Sequence, residues 1–350
     1  MINWGRPFAR VEGHIAAQGN TGGSGTGARD EATLEVAVVG VGAGQRKRIR
    51  VNGVPRRAAG LVGALRVVLF APEEMLLVVG SPSLRRGALD LLAGQRSAAY
   101  LRDLATYGRA LQQRNGLLRA IREGQSSRDE LRFWDAALLE SGGAVVTARH
   151  RLLQAVAEPL RRAHAEIAPE EADGGGLSLR YETNDPAMPG ESARDALTRR
   201  LAETAEKEVW NGSTLVGPHR DDLVFELGGR DLAGFASRGQ QRTAILAFKL
   251  AELDLLTDLD GRPPLLLLDD VFSELDPARR GHLVRRIAAL PQAFVTTTTL
   301  ADLDPDLRAH AASWQVDGGP GGSMLKPASS PGRPAEAVGA THADAGMARA

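Results

Sequence analysis

The sequence predicts a mixed α/β protein in which strand-rich ends flank a helical middle. Three observations carry this. Residues 7–17 and 32–51 alternate apolar and polar side chains with the period of two that a half-buried strand requires. From about Leu84 to Ala168, apolar residues recur at spacings of three and four, the period of an amphipathic helix. Further on, "PPLLLLDDVFSELDPARR" (263–280) drives four leucines into two aspartates. That is the composition of a strand buried on both faces of a parallel sheet, with acids at its carboxyl end.

The elements follow in order. "GNTGGSGTGARDE" (19–31) and "GVGAGQ" (40–45) read as loops between the first strands, and Asn52-Gly53 as the turn of a hairpin. Residues 65–70 form a short buried strand, stopped by Pro72 and followed by an apolar segment. Within the helical block, "SGG" (141–143) is expected to be a break. "GGGLSLRYET" (174–183) returns to a strand, and 191–210 is a further amphipathic helix. "LVGPHRDDLVFELGGRDLAGF" (215–235) reads as two short strands around a polar turn. A helix then opens with Ser237 as its N-cap. The leucine strand, a helix over 277–290, the strand 293–299 and a last strand near Trp314 complete the order. After about Asp317 the chain is Gly, Pro, Ala and Ser with few large apolar residues, so a disordered tail is expected. The resulting organisation is 1–83, the first part of an α/β lobe; 84–176, an inserted helical lobe; 177–317, the rest of the α/β lobe; and 318–350, the tail.

Composition narrows the function. Of the 350 residues, 43% are apolar, enough for a sizeable core, and only 4% are aromatic. Net charge is zero, so affinity for nucleic acid must come from a local basic patch. The absence of cysteine excludes disulfides, thiol chemistry and Cys-ligated zinc. No apolar run reaches membrane length, and the N-terminus lacks the order of a signal peptide. The expectation is a soluble cytoplasmic protein with no membrane partner.

The chemistry centres on Asp269 and Asp270. An apolar strand ending in Asp-Asp is the Walker B pattern: Asp269 would hold Mg²⁺, and Asp270 would orient a water beside the γ-phosphate of ATP. The plain alternative is a core strand that ends in solvated acids. Upstream, Ser237, Arg238, Gly239 and Gln240 open a long helix. A Ser hydroxyl, a Gly and free N–H groups at a helix N-terminus make an anion site, in the form of an ABC signature loop; the alternative is an N-capped core helix. "SELD" (Ser273–Asp276) follows the strand in the form of an ABC D-loop.

Together these stretches resemble the RecF family, the SMC-like and Rad50-like ATPases of bacterial recombinational repair. "GPHRDD" (217–222), "SRGQQRTAILAFKLAE" (237–252), "LLLLDDVFSELD" (265–276), "FAPEEMLLVVGSPSLRRGALD" (70–90), "QQRNGLL" (112–118) and "FVTTTTLADL" (294–303) carry it, over roughly residues 2–317. The resemblance implies an ABC-type P-loop NTPase head with an inserted helical lobe, ATP and Mg²⁺ as cofactors, and an ATP-dependent homodimer. In that dimer Ser237–Gln240 would meet the partner's nucleotide, with Ser273 and Asp276 at the same interface. It further implies binding at DNA gaps or single/double-strand junctions, RecR and RecO as partners, help in loading RecA, and a place in replication, recombination and the SOS response. An ABC transporter subunit is disfavoured by the helical lobe, by "GPHRDD", and by "TTTT" (296–299) where a switch histidine would stand.

One part of the pattern is missing. No G-x-x-x-x-G-K-[ST] occurs. "GGSGTGARD" has no Lys after its glycines, and "GVGAGQRKR" puts Gln45 and Arg46 before Lys47 and Arg48 where Ser or Thr should be. In the family the P-loop precedes the segment resembling "INWGRPFARV", so the chain is expected to start after the P-loop strand and helix, through a misplaced start codon or an incomplete gene, or else to be a degenerate paralogue. Without the P-loop, this chain is expected not to bind or hydrolyse ATP measurably. An ATP-independent DNA- or protein-binding scaffold is the second reading.

Other residues keep two readings each. Pro218, His219, Arg220, Asp221 and Asp222 form a family-like turn, or a rigid strand connection with a salt bridge. Arg85 and Arg86 contact DNA phosphate, or form a structural carboxylate fork. Arg46, Lys47, Arg48, Arg50, Arg56 and Arg57 are the densest basic cluster, a solvated face or a DNA-facing hairpin.

Overall fold

The computed structural model describes residues 2, 6–15, 31–41, 44–62, 64–172, 174–319 and 322–328. The chain divides into two compact units, Met1–Thr298 and Thr299–Ala350.

The first unit opens with an antiparallel sheet of β1 (Phe8–Ile15), β2 (Ala32–Val41), β3 (Gly44–Val51) and β4 (Val54–Arg56), in that spatial order. The β3–β4 turn falls on Asn52-Gly53, with φ of 51° and 75°. Two successive left-handed residues are what a two-residue hairpin needs, and Asn-Gly adopts them at least cost. β2 and β3 stay paired to Val41↔Gly44 within "GVGAGQ", whose Gly42 and Ala43 lie outside the described residues. Residues 19–30 of the other glycine-rich loop lie outside the described residues.

β5 (Val67–Phe70) leads into a 3₁₀ turn at Pro72–Met75 and the short α1 (Leu76–Val79). The helical block is α2 (Pro82–Arg96), α3 (Ala98–Arg122), α4 (Leu131–Ile167) and α5 (Pro169–Ala172). α4 runs unbroken through Ser141–Gly143, against the break expected there. Helix α6 (Ala193–Asn211) crosses α4 at these glycines. A Cβ on Gly143 would lie 2.8 Å from Arg194 Cβ, and one on Gly142 would lie 3.1 Å from Tyr107 Cε2. The glycines permit close approach of helices, and this outweighs their weak helix propensity. Tyr107, Ala110, Leu138, Leu197, Leu201 and Val216 form the core between α3, α4 and α6.

β6 (Leu177–Glu182) precedes α6, and β7 (Asp222–Leu227) and β8 (Arg230–Asp231) join it in an antiparallel sheet of order β6-β7-β8. Then come α7 (Leu232–Phe235) and α8 (Arg238–Thr257). α8 is buried on nearly every side from Thr243 to Leu256, as a helix packed against both α4 and β5 must be. β9 (Leu265–Asp269), α9 (Pro277–Ala288) and β10 (Ala293–Thr296) follow. β9 is the middle strand of the parallel sheet β10-β9-β5. Its Leu266 and Leu268 are buried in the core, so the leucine run is a sheet interior.

The second unit contains α10 (Pro305–His310) and the antiparallel pair β11 (Trp314–Gly319) and β12 (Gly322–Pro327). Within the tail expected from 318 onward, Gly318–Gly319 and Gly322–Pro327 thus lie in strands. A register joining Val316 to Leu325 and Asp317 to Met324 supplies the ordering that composition did not signal. Residues 329–350 lie outside the described residues.

Candidate functional site: the carboxylate-ended strand and two capped helices

Asp269 is the last residue of β9 and is exposed; its register partner on β10 is Thr296. The Thr296 hydroxyl donates to Asp269 Oδ1 at 2.5 Å, so it aims that carboxylate. Asp270 follows in a left-handed conformation, φ 51° and ψ 28°. Asp tolerates this region better than most residues, but it still costs roughly 1–3 kcal/mol. Its N–H donates to both the carbonyl and the hydroxyl of Thr296, each at 3.2 Å, and its carbonyl accepts from Ser273 Oγ at 2.8 Å. The turn is therefore tied at both ends. Asp270 Oδ1 is buried and has no hydrogen-bond partner among the described residues. Two carboxylates, one with an orphaned oxygen, fit a hard divalent cation that takes its other ligands from phosphate and water. No group of three or more His, Asp or Glu gathers as a metal site among the described residues. Thr296 is the residue that sequence reasoning missed; in the sequence, "TTTT" marks only the place of an absent histidine.

Ser237 caps α8 in a capping box: its Oγ accepts from Gln240 N at 3.2 Å, and Gln240 Oε1 accepts from Ser237 N at 3.0 Å. Arg238 is exposed. The N–H groups of Arg238 and Gly239 make no hydrogen bond among the described residues, which leaves the helix terminus open to an anion. A Cβ on Gly239 would meet nothing nearer than Ser237 Oγ at 3.8 Å. Nothing among the described residues needs glycine there, although glycine costs about 1 kcal/mol relative to alanine within a helix.

Asp276 caps α9 by accepting from Arg279 N at 3.1 Å, and it pairs with the Arg279 guanidinium. Burial pushes the Asp276 carboxyl up, but the Arg279 N–H and guanidinium prevail and hold it below its ordinary range. Arg279 Nε also donates to Thr243 Oγ1 at 2.7 Å, and Thr243 Oγ1 donates to Gly239 O at 3.0 Å. The structure thus links the Asp276 turn to the start of α8 through two side chains. Ser273 stays within its own turn, bonded to Asp270.

The "GPHRDD" turn and the two arginines form a buried polar network. Arg85 makes a two-pronged fork on Asp222, Nε to Oδ1 at 2.8 Å and Nη2 to Oδ2 at 2.7 Å, while its Nη1 reaches Gly80 O at 2.7 Å. Arg86 Nη1 donates to Asp221 O at 2.7 Å. Both arginines are engaged within the chain, Arg85 in a carboxylate fork and Arg86 on a backbone carbonyl. Burial pushes Asp222 up, yet the Arg85 fork holds it below its ordinary range; Asp221, more deeply buried and bonded by the Tyr181 hydroxyl at 2.6 Å, is pushed up. Arg149 on α4 donates to Pro218 O at 2.8 Å and to Asp90 Oδ1 at 2.8 Å. His219 stands between the Tyr107 hydroxyl, 2.5 Å from Nδ1, and Thr214 O, 3.3 Å from Nε2. A carbonyl only accepts, so Nε2 carries the proton and Tyr107 donates to Nδ1. Burial lowers the His219 pKa to about 4. Arg220 is exposed and reaches Thr214 O at 3.0 Å. Gly217 has φ of 121°, and a Cβ there would lie 2.4 Å from the Tyr107 hydroxyl. The turn clamps the helical block to β7.

A parallel sheet with paired carboxylates at the end of its middle strand, beside two capped helices, places the chain among mixed α/β proteins. No family model matches it. The DNA replication and repair protein RecF of Herpetosiphon aurantiacus is 41% identical over 276 residues, 78% of this chain and 70% of the relative. That of Lacticaseibacillus casei is 36% identical over 328 residues, 91% of this chain and 83% of the relative. Among solved structures, the recombination mediator protein RecF with ATP, in the RecFOR pathway, matches with a TM-score of 0.73 at 29% identity, covering 86% of this chain and 77% of that one. The chain belongs to the RecF family of DNA replication and repair proteins.

Proposed function

We propose that the protein acts in DNA repair and replication as an ATP-dependent dimer that grips gapped or junction DNA and, with RecR and RecO, helps RecA onto single strands. The observation that carries this is the 36% identity, over 91% of the chain, to a relative named for DNA replication and repair. The cytoplasm is the compartment this work requires; among the described residues no helix is long and apolar enough to cross a membrane.

In this reading Mg²⁺ neutralises phosphate charge when bound. Asp269, aimed by Thr296, would hold it, and Asp270 would orient a water. Ser237, Arg238, Gly239 and Gln240 would face the nucleotide of a second copy, which explains a glycine that the chain itself does not need. Ser273 and Asp276 would lie at the same interface, and Arg279 would keep that turn in register with α8.

The lack of G-x-x-x-x-G-K-[ST] favours a second reading, an ATP-independent scaffold that binds DNA or protein. In P-loop enzymes that loop cradles the β- and γ-phosphates. A titration of labelled gapped duplex, followed by fluorescence anisotropy with and without MgATP, separates the two. Tighter DNA binding with MgATP supports the dimer reading. Binding that MgATP leaves unchanged supports the scaffold. No binding to DNA overturns both.

A further inference from the structure

Strand β3 carries Arg46, Lys47, Arg48 and Arg50, and the register sorts them by face. Arg46 lies opposite Val39, itself opposite Phe8; Arg48 opposite Ala37, itself opposite Arg10; and Arg50 opposite Glu35, itself opposite Glu12. Arg46, Arg48, Arg50 and Arg10 therefore share one face of the sheet. Lys47, Ile49 and Val51 point to the other, where Val36, Val38 and Leu34 make an apolar surface. Arg46, Lys47, Arg48 and Arg50 are all exposed.

The charges on the arginine face are unequal in availability. Arg10 and Arg50 are drawn to Glu35, at 3.2 and 3.7 Å, and Arg10 also pairs with Glu12. Arg46 and Arg48 enter no ion pair among the described residues. Four arginines against two glutamates leave a net positive face on a chain with no net charge. β4 pairs only with Ile49–Val51, so the Arg46–Arg48 stretch is also an open strand edge. A charged edge discourages strand pairing with either sign of charge. That need does not explain why every charge on β3 is positive. Alternate residues on a strand stand about 6.8 Å apart. Phosphates recur at regular short intervals along a nucleic-acid strand, so two guanidinium groups on one strand face can meet phosphates of a single backbone.

We propose that the arginine face of this sheet, with Arg46 and Arg48 as its free cations, is a binding surface for the phosphodiester backbone of DNA. The inference rests on the DNA reading above and adds the surface that makes the contact. Contacts of this kind carry no base sequence, and their affinity falls as salt rises.

The test is anisotropy with a labelled 30-mer, duplex in one arm and single strand in the other, across 50–200 mM NaCl. The proteins are the unaltered chain, the pair Arg46→Gln with Arg48→Gln, and the charge-retaining pair Arg46→Lys with Arg48→Lys. Both residues are exposed, so the fold is expected to survive; circular dichroism checks that. Removing two phosphate contacts should lower the slope of log K against log salt by about 1.8 for duplex and about 1.4 for single strand. The arm with the full drop identifies the strand state bound, and the lysine pair should keep the original slope in it. An unaltered chain that binds DNA, with a glutamine pair of the same affinity and slope, overturns this surface and leaves the DNA reading standing. An unaltered chain that binds neither oligonucleotide overturns both.

Discussion

Lys249 and Glu252 stand one turn apart on α8 and share a buried site with Glu74, whose Oε2 lies 2.6 Å from the lysine Nζ. One cation between two carboxylates leaves an excess negative charge out of water. Burial raises the Glu252 pKa to about 7, only partly opposed by Lys249. For Lys249, burial pushes the pKa down, but the two carboxylates outweigh it and the net direction is upward. The raised Glu252 pKa sets a pH dependence. The folded state holds the Glu252 proton up to about pH 7, whereas the unfolded chain releases it near the ordinary value of about 4.3. The resulting stability is complete below the unfolded value and is lost as pH rises through about 7. Between those two values the folded protein carries one proton more, so each pH unit removes up to about 1.4 kcal/mol. Glu252→Gln should therefore flatten the fall in melting temperature between pH 4.5 and 7.5. Melting curves of the two proteins that stay parallel across that range would rule this out. At this scale the sequence was partly legible. Ser237 announced itself as a helix cap because capping is local; the capping role of Asp276 came only with the structure. Thr296, Arg149 and the partner of the Arg85 fork did not announce themselves, because the groups that meet lie 27 to 137 residues apart.

Helix α4 shows how an element can contradict its own composition. Ser-Gly-Gly is a poor helical sequence, and local propensity makes a break the natural expectation. The helix persists because α6 crosses it there with its backbone close by: Arg194 Cα would be 3.0 Å from a Cβ on Gly143. Gly143→Ala gains about 1 kcal/mol of helix propensity. It also forces the two helices apart, at a cost of about 1–3 kcal/mol in a packed interface. Net destabilisation, read as a lower denaturant midpoint, is the expected outcome; a midpoint that rises would mean the crossing is loose. The same limit on local reading explains β12, where glycine-rich composition signalled disorder and strand pairing with β11 prevailed. The leucine strand and the Asn-Gly hairpin were readable because burial on both faces and a two-residue turn each leave a compact sequence signature.

For the whole molecule, the parts that the proposed nucleotide-driven clamp would use are the carboxylate-ended strand, the open N-terminus of α8 and the Asp276 turn bound to it through Arg279 and Thr243. All three lie in the first compact unit. The basic sheet face lies in that unit too and gives the same body a charge pattern suited to DNA. Relatives named for DNA replication and repair share its sequence across most of its length. The proposed role in loading RecA meets its most direct test in a timed assembly reaction. RecA is added to gapped duplex coated with single-strand-binding protein, with RecO and RecR present, and filament growth is followed by fluorescence with and without this protein. A shorter lag on gapped duplex is expected, with a smaller effect on coated single strands that have no junction. An unchanged lag on gapped duplex would contradict the proposed role.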